Sequence, residues 1–160
     1  MIAIGDKLPD VTLATPGAEG PQPVETGALF AGKKAVMFAV PGAFTPTCHL
    51  NHMPGFVAQA DAIRAKGVDE ILCLAVNDPF VLGAWGESVG AAGKVTLLAD
   101  GSAAFTKAIG LDLDLSSFGM GVRSKRFAMI VEDGVVRALM VEDTPKTADA
   151  SGAEAVLAKL

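Results

Sequence analysis

The residues of this 160-residue chain with the most chemical reach are two cysteines and two histidines, and three of these four crowd into "VPGAFTPTCHLNHMPGFV", residues 40–57. They are Cys48, His49 and His52, while Cys73 stands further on in "EILCLAV". The thiolate is the reactive form of cysteine, so the question is what would hold Cys48 ionised. A run of Pro, Gly and Thr leads into it, and a cysteine near the start of a helix lies close to unpaired backbone N–H groups and to the positive end of the helix dipole. The competing reading is that Cys48 is a small apolar core filler.

Thiolate formation cannot by itself make a fast catalyst. Lowering a thiol from ~8.5 to about 6 raises its ionised fraction at neutral pH by at most roughly 30-fold, worth about 2 kcal/mol. Nucleophilicity falls along with basicity and offsets part of that gain. A rapid reaction therefore also needs groups that hold an electrophile in line and stabilise the charge on its leaving atom.

Other chemistries fit the residues less well. Cys48, His49, His52 and Cys73 are all zinc-ligand types, but their spacing matches no standard pattern, and adjacent Cys48 and His49 diverge on a helix. A thioredoxin-type disulfide exchanger would carry Cys-x-x-Cys, whereas position 45 is Thr. A cysteine hydrolase needs a histidine oriented by an acid beside the sulfur, which the sequence neither supports nor excludes.

The segments that must position these residues alternate in character. "KAVMFAV" (34–40), "EILCLAV" (70–76) and "KVTLLAD" (94–100) are short apolar runs that predict buried strands. Between them, "FVAQADAIRAKG" (56–67) places apolar Phe56, Ala60, Ile63 and Ala65 on a helix that Gly67 ends. Pro54-Gly55 predicts a kink about two turns after Cys48. Asn77 and Asp78 before Pro79 form a cap and first turn for a second helix, and "TPGAEGPQPVETG" predicts a loop.

Asp133-Gly134 between two β-rich runs predicts a hairpin, and "SGAEAVLAKL" a last helix with Ser151 as N-cap and Glu154 three residues on. These elements give an α/β single domain over residues 1–160, a central mixed β-sheet flanked by helices with a C-terminal β-hairpin and helix. A βαβ half followed by a ββα half is the thioredoxin-like arrangement.

Composition narrows the partners. A net charge of −5 without a basic cluster argues against nucleic acid, and no apolar stretch approaches the ~20 residues of a membrane span. The acidic and proline interruptions near the N-terminus lack the character of an export signal. Two cysteines are too few for a disulfide framework, so a cytoplasmic protein is expected, with no metal or cofactor.

The sequence also resembles a known family. "PGAFTPTC" matches the peroxiredoxin motif Pro-x-x-x-Thr-x-x-Cys at Pro41, Thr45 and Cys48, and with "EILCLAVNDPFVLGAW" and "GVRSKRFAMIVEDG" it is similar to the peroxiredoxin 5 or type II branch over nearly the whole chain. The resemblance implies reduction of hydrogen peroxide and organic hydroperoxides, with Cys48 the peroxidatic thiolate that becomes a sulfenic acid. Thr45 would bond the thiolate and peroxide, Pro41 would shield the sulfur, and Arg126 would stabilise the thiolate and polarise the peroxide. Arg123 is a weaker candidate for that electrostatic role, and Arg64 and Arg137 are expected on the surface.

Residues 41–47, Gly42 among them, would then wall a rigid pocket, with Phe44 and Phe118 either lining an apolar entrance or packing into the core. His52, four residues after Cys48, shares its helix face and either tunes the sulfur or packs structurally, while His49 points elsewhere. In plant type II relatives a cysteine at the place of Cys73 has been assigned a resolving role. A thiol inside a buried strand cannot reach a sulfenic acid without local opening. Cycling on one cysteine is therefore expected, with glutathione and glutaredoxin, or thioredoxin, as reductant. The resemblance also implies a homodimer.

Overall fold

The computed structural model describes residues 1–160. A hairpin of β1 (Thr12–Thr15) and β2 (Gln22–Glu25) leads to a short α1 (Thr26–Phe30), then to β3 (Lys34–Val40). A π-helical turn (Cys48–His52) runs into α2 (Met53–Arg64), followed by β4 (Glu70–Ala75), α3 (Pro79–Val89), β5 (Thr96–Ala99) and α4 (Ala104–Ala108). Next come β6 (Asp112–Asp114), a 3-10 turn (Ser116–Phe118) and β7 (Val122–Ser124). The hairpin β8 (Phe127–Glu132) and β9 (Val135–Val141) and a final α5 (Ala153–Leu157) complete the chain.

Seven strands form one sheet in the order β2-β1-β5-β4-β3-β8-β9, while β6 and β7 pair separately. β3, β4 and β5 are parallel, and β8 runs antiparallel to β3. The unbroken apolar runs follow from burial on both faces. Along β3, Val36, Phe38 and Val40 pack under α2, α3 and α5, whereas Ala35, Met37 and Ala39 pack with Phe30, Phe105 and Ile109 on the other side. The thioredoxin-like βαβ and ββα halves are present, extended by the N-terminal hairpin and the β6–β7 pair.

Several local expectations hold. Asp78 caps α3 by accepting from the Val81 N–H at 2.8 Å, with Pro79 next in the chain. Asp133 (φ 49°) and Gly134 (φ 76°) are both left-handed, the geometry of a type I′ hairpin turn. Arg137 is a surface residue 3.6 Å from Glu132.

Others are corrected. The loop around residue 20 contains β2, which pairs with β1. Ala65 lies beyond the end of α2 and is exposed. Arg64 is not a free surface charge but donates to the carbonyls of Gly93 and Lys94, tying the end of α2 to the turn before β5. Ser151 does not cap α5, because its N–H is bonded to the Glu142 carboxylate and Gly152 occupies the cap.

The Pro54-Gly55 kink is replaced by a different device. Pro54 has no N–H to give the preceding turn, and that turn widens so that the Met53 N–H reaches the Cys48 carbonyl. The irregularity therefore falls on the residues carrying Cys48 and His52, and α2 continues regularly from Met53.

Candidate active site

The carboxyl ends of β3 and β4 lie side by side, with Val40 opposite Ala75, and the loops that follow them build the site. Pro41 and Gly42 are buried where β3 ends. The side-chain oxygen of Asn77, just past β4, accepts from the Ala43 N–H at 3.0 Å and so joins the two loops. Phe44 is left-handed at φ 63°, an uncommon conformation for a bulky side chain, and this reverses the chain towards the helical turn. Cys48 opens that turn with its side chain fully buried.

Arg126 reaches Cys48 because of strand topology. It directly precedes β8, and antiparallel pairing places Phe127 opposite Ala39, beside the end of β3. The guanidinium Nη2 donates to Cys48 Sγ at 2.9 Å, and the Thr45 hydroxyl lies 2.8 Å from the same sulfur. Arg126 is buried, with Nε donating to the Pro145 carbonyl at 3.1 Å and Nη1 bonded to His52 Nδ1 at 2.9 Å. A guanidinium carries five N–H groups, so two remain for a substrate. The guanidinium thus brings a full positive charge within hydrogen-bond distance of the sulfur.

The segment after β9 braces the site through main-chain carbonyls. Besides Pro145, Lys146 accepts from the Thr47 hydroxyl at 3.1 Å and Ser151 is bonded to His52 Nε2 at 2.9 Å. Glu142 pins this segment by accepting from the Ser151 N–H and, at 3.1 Å, the Thr147 hydroxyl. Burial pushes the Glu142 carboxyl up, but hydrogen bonds from Ser151, Ala150 and Thr147 outweigh it and hold the group below its ordinary range.

Phe38 and Phe56 stack on each other at 3.9 Å, and the His52 ring lies tilted against both, at centroid distances of 5.0 and 5.5 Å. Burial and the nearby Arg126 charge lower its pKa, against the Ser151 carbonyl and Glu142, to about 4. His49 turns away as expected, accepting at Nδ1 from the Trp85 indole at 3.1 Å and stacking on Phe44. The two histidines therefore do not converge with the cysteines as metal ligands. Nor does either stand as a base at the sulfur, as a cysteine hydrolase would require.

Arg123 does not bond the sulfur. Its Nε donates to the Met120 carbonyl at 2.8 Å, and Nη1 lies so close over Gly42 that a β-carbon there would be 2.9 Å away. Phe44 and Phe118 are 51% and 77% exposed, so neither packs into the core. Cys73 is opposite Phe38 in the middle of the sheet, fully buried, and both thiols are free. Burial first, then the proximity of Cys48, push the Cys73 thiol well above its usual range, with Arg126 opposing weakly.

Sequence reasoning missed the bracing segment 142–151. Its contacts to the site are made by main-chain carbonyls, which any residue type supplies. Asn77, beside a strand end, is more than part of a helix cap, because its side-chain oxygen also joins the two loops of the site.

Fold and site together define a thioredoxin-like protein in which a buried cysteine at a helix start faces an arginine. The Redoxin family model matches residues 3–157. Peroxiredoxin-2C of rice (Oryza sativa subsp. japonica) is 48% identical, covering 99% of this chain and 98% of that protein. The chloroplastic Peroxiredoxin-2E-2 of rice is 51% identical over 89% of this chain, which spans 65% of that relative's length. Among solved structures, reduced Prx3 of Vibrio vulnificus in complex with H2O2 superposes with a TM-score of 0.93 at 52% identity, covering 99% of each chain. The chain belongs to the peroxiredoxin family.

Proposed function

We propose that the protein is a thiol peroxidase that reduces hydrogen peroxide and organic hydroperoxides at Cys48. The observation that carries this reading is the pair of donors on one buried sulfur, Thr45 Oγ1 at 2.8 Å and Arg126 Nη2 at 2.9 Å. The H2O2 bound by the Vibrio vulnificus relative supports the same substrate class here.

The Cys48 thiolate attacks the nearer peroxide oxygen, forming an S–O bond as the O–O bond breaks. The departing hydroxide or alkoxide takes up a proton and leaves as water or alcohol, and Cys48 remains as the sulfenic acid. The unused Arg126 N–H groups hold the peroxide and offset the negative charge on the departing oxygen, while the Thr45 hydroxyl, whose one proton faces the thiolate, accepts from the peroxide O–H. Pro41, buried beside the loop, limits water at the sulfur, while Phe44 and Phe118 offer apolar surface to an organic substituent. A thiol then displaces water from the sulfenic acid to give a mixed disulfide, and a second thiol releases Cys48.

External thiols, glutathione with glutaredoxin or thioredoxin, supply both equivalents, because the protonated, sheet-embedded Cys73 is a poor attacker. Two unpaired cysteines suit a reducing compartment, the cytoplasm. The exposed Phe44, Leu50, Phe80 and Phe118 supply apolar surface for a homodimer. No helix is long and apolar enough to cross a membrane, and the net charge of −5 does not favour nucleic acid. Stopped-flow peroxide reduction tests the central reading: Cys48→Ser abolishes it and Arg126→Ala slows it by more than about tenfold. Undiminished consumption by the serine variant would refute it.

A further inference from the structure

Arg126 is a buried cation without a carboxylate partner. None of the four ion pairs in the protein includes it. Glu142 shares a backbone hydrogen bond with it, the Glu142 N–H reaching the Arg126 carbonyl at 2.9 Å, yet turns both oxygens to Ser151 and Thr147. The guanidinium is held instead by the Pro145 carbonyl and an imidazole nitrogen, and the third partner is the Cys48 sulfur. A desolvated cation held only by uncharged acceptors favours an anion at its remaining contact.

The His52 ring is committed to this task at both nitrogens. Arg126 can only donate, so Nδ1 must accept through its lone pair and the ring proton must sit on Nε2, facing the Ser151 carbonyl. Phe38 and Phe56 fix the ring plane, and protonation of Nδ1 would turn the acceptor into a donor and break the contact. The charged groups around the ring are Arg126 and, beyond Ser151, Glu142; burial leaves the imidazole neutral.

We infer that His52 is the positioning residue of this site, an uncharged anchor that aims Arg126 at Cys48 without neutralising it. A carboxylate in its place would aim the guanidinium equally well, but would take up the charge that ionises the sulfur and stabilises the departing oxygen. The second half of that role rests on the thiol-peroxidase reading, and the first does not.

The test compares His52→Asn, His52→Asp and His52→Leu. Asn and Asp both present an oxygen near the Nδ1 position and differ in charge, whereas Leu offers no acceptor. Alkylation of Cys48 by iodoacetamide across pH, with the modified residue located by mass spectrometry, reads the thiolate without using peroxide. Stopped-flow peroxide reduction and thermal midpoints are measured on the same samples, below the lowest midpoint.

His52→Asn is expected to react with peroxide within about threefold of wild type, and His52→Leu more than about tenfold slower. In His52→Asp the pH midpoint of alkylation rises by about one unit relative to His52→Asn, and the peroxide reaction slows with it. Rates that follow the thermal midpoints, with Asp and Asn alkylating alike, would mean that His52 is merely packing and would overturn the inference. If one of the charged or apolar variants does not fold, the other still decides against Asn. Wild type that alkylates at low pH yet consumes no peroxide would refute the peroxidase reading and leave the alkylation comparison intact.

Discussion

The Thr45 hydroxyl oxygen lies 2.8 Å from the Cys48 sulfur and, at the same time, 2.7 Å from the Gly42 carbonyl. A hydroxyl has one proton, so it serves one acceptor at a time. Beside a thiol it can donate to Gly42 and accept from the sulfur; beside a thiolate it turns to the sulfur. Thr45 thus follows the charge on Cys48. Thr45→Val is expected to slow the peroxide step by more than about tenfold in stopped flow, while Thr45→Ser, which keeps the hydroxyl, loses less than about threefold. Equal losses would assign the effect to packing.

Gly42 reports on the spacing of the loop. An alanine β-carbon would meet Arg123 Nη1 at 2.9 Å, a flexible tip that can withdraw, and Thr45 Cγ2 at 3.3 Å, which has less room to move. The Gly42→Ala variant should therefore retain its thermal midpoint within a few degrees but react with peroxide roughly three- to tenfold more slowly, because Thr45 is displaced from the sulfur. A wild-type rate would show that the loop tolerates a side chain at this position.

The stability of the fold should depend on His52 below neutral pH. The free imidazole titrates at 6.5 and the folded one at about 4, so between these values the unfolded chain binds a proton that the native state refuses. Stability is then fully present above that window and falls as pH drops through it, by about 3 kcal/mol in all. Glu142 is displaced downward as well, from a lower starting value, 4.5, so its contribution is also lost as pH falls, but only at more acid pH. Urea denaturation at pH 7 and pH 5 checks this: His52→Asn should flatten the difference, and an unchanged pH dependence would contradict it.

Cys73 separates internal from external resolution. Cys73→Ala should keep turnover with glutaredoxin or thioredoxin systems, whereas loss of turnover with every external reductant would make Cys73 the resolving thiol. Cys73→Ser should be less stable than the alanine variant by roughly 1–3 kcal/mol, since it puts a hydroxyl into an apolar part of the sheet.

Much of this arrangement was legible in the residues. The three central strands, the type I′ hairpin and the position of Cys48 after β3 are set by local apolar runs, a two-residue turn and a helix start. The partnership of Cys48 and Arg126 was available only through family resemblance, because it depends on which strand lies beside β3. Pro54 reveals a missing donor but not where the strain is absorbed, so the sequence predicts a kink at Pro54-Gly55 where the structure has a π-helical turn before it. A serine before a helix looks like a cap, but Gly152 takes that position and the carbonyl and N–H of Ser151 are taken by His52 and Glu142.

The complete burial of Cys48 has a cost in timing. On the thiol-peroxidase reading, a peroxide is small enough to slip in beside the donors, whereas a reductant the size of a folded protein would wait until the turn around the sulfur loosens. Fast capture and delayed regeneration would then come from one packing arrangement, and the dwell time of the oxidised sulfur would be a property of local breathing. Substitutions that loosen the 142–151 brace would shorten that wait while blunting capture, so the two half-reactions cannot be tuned independently.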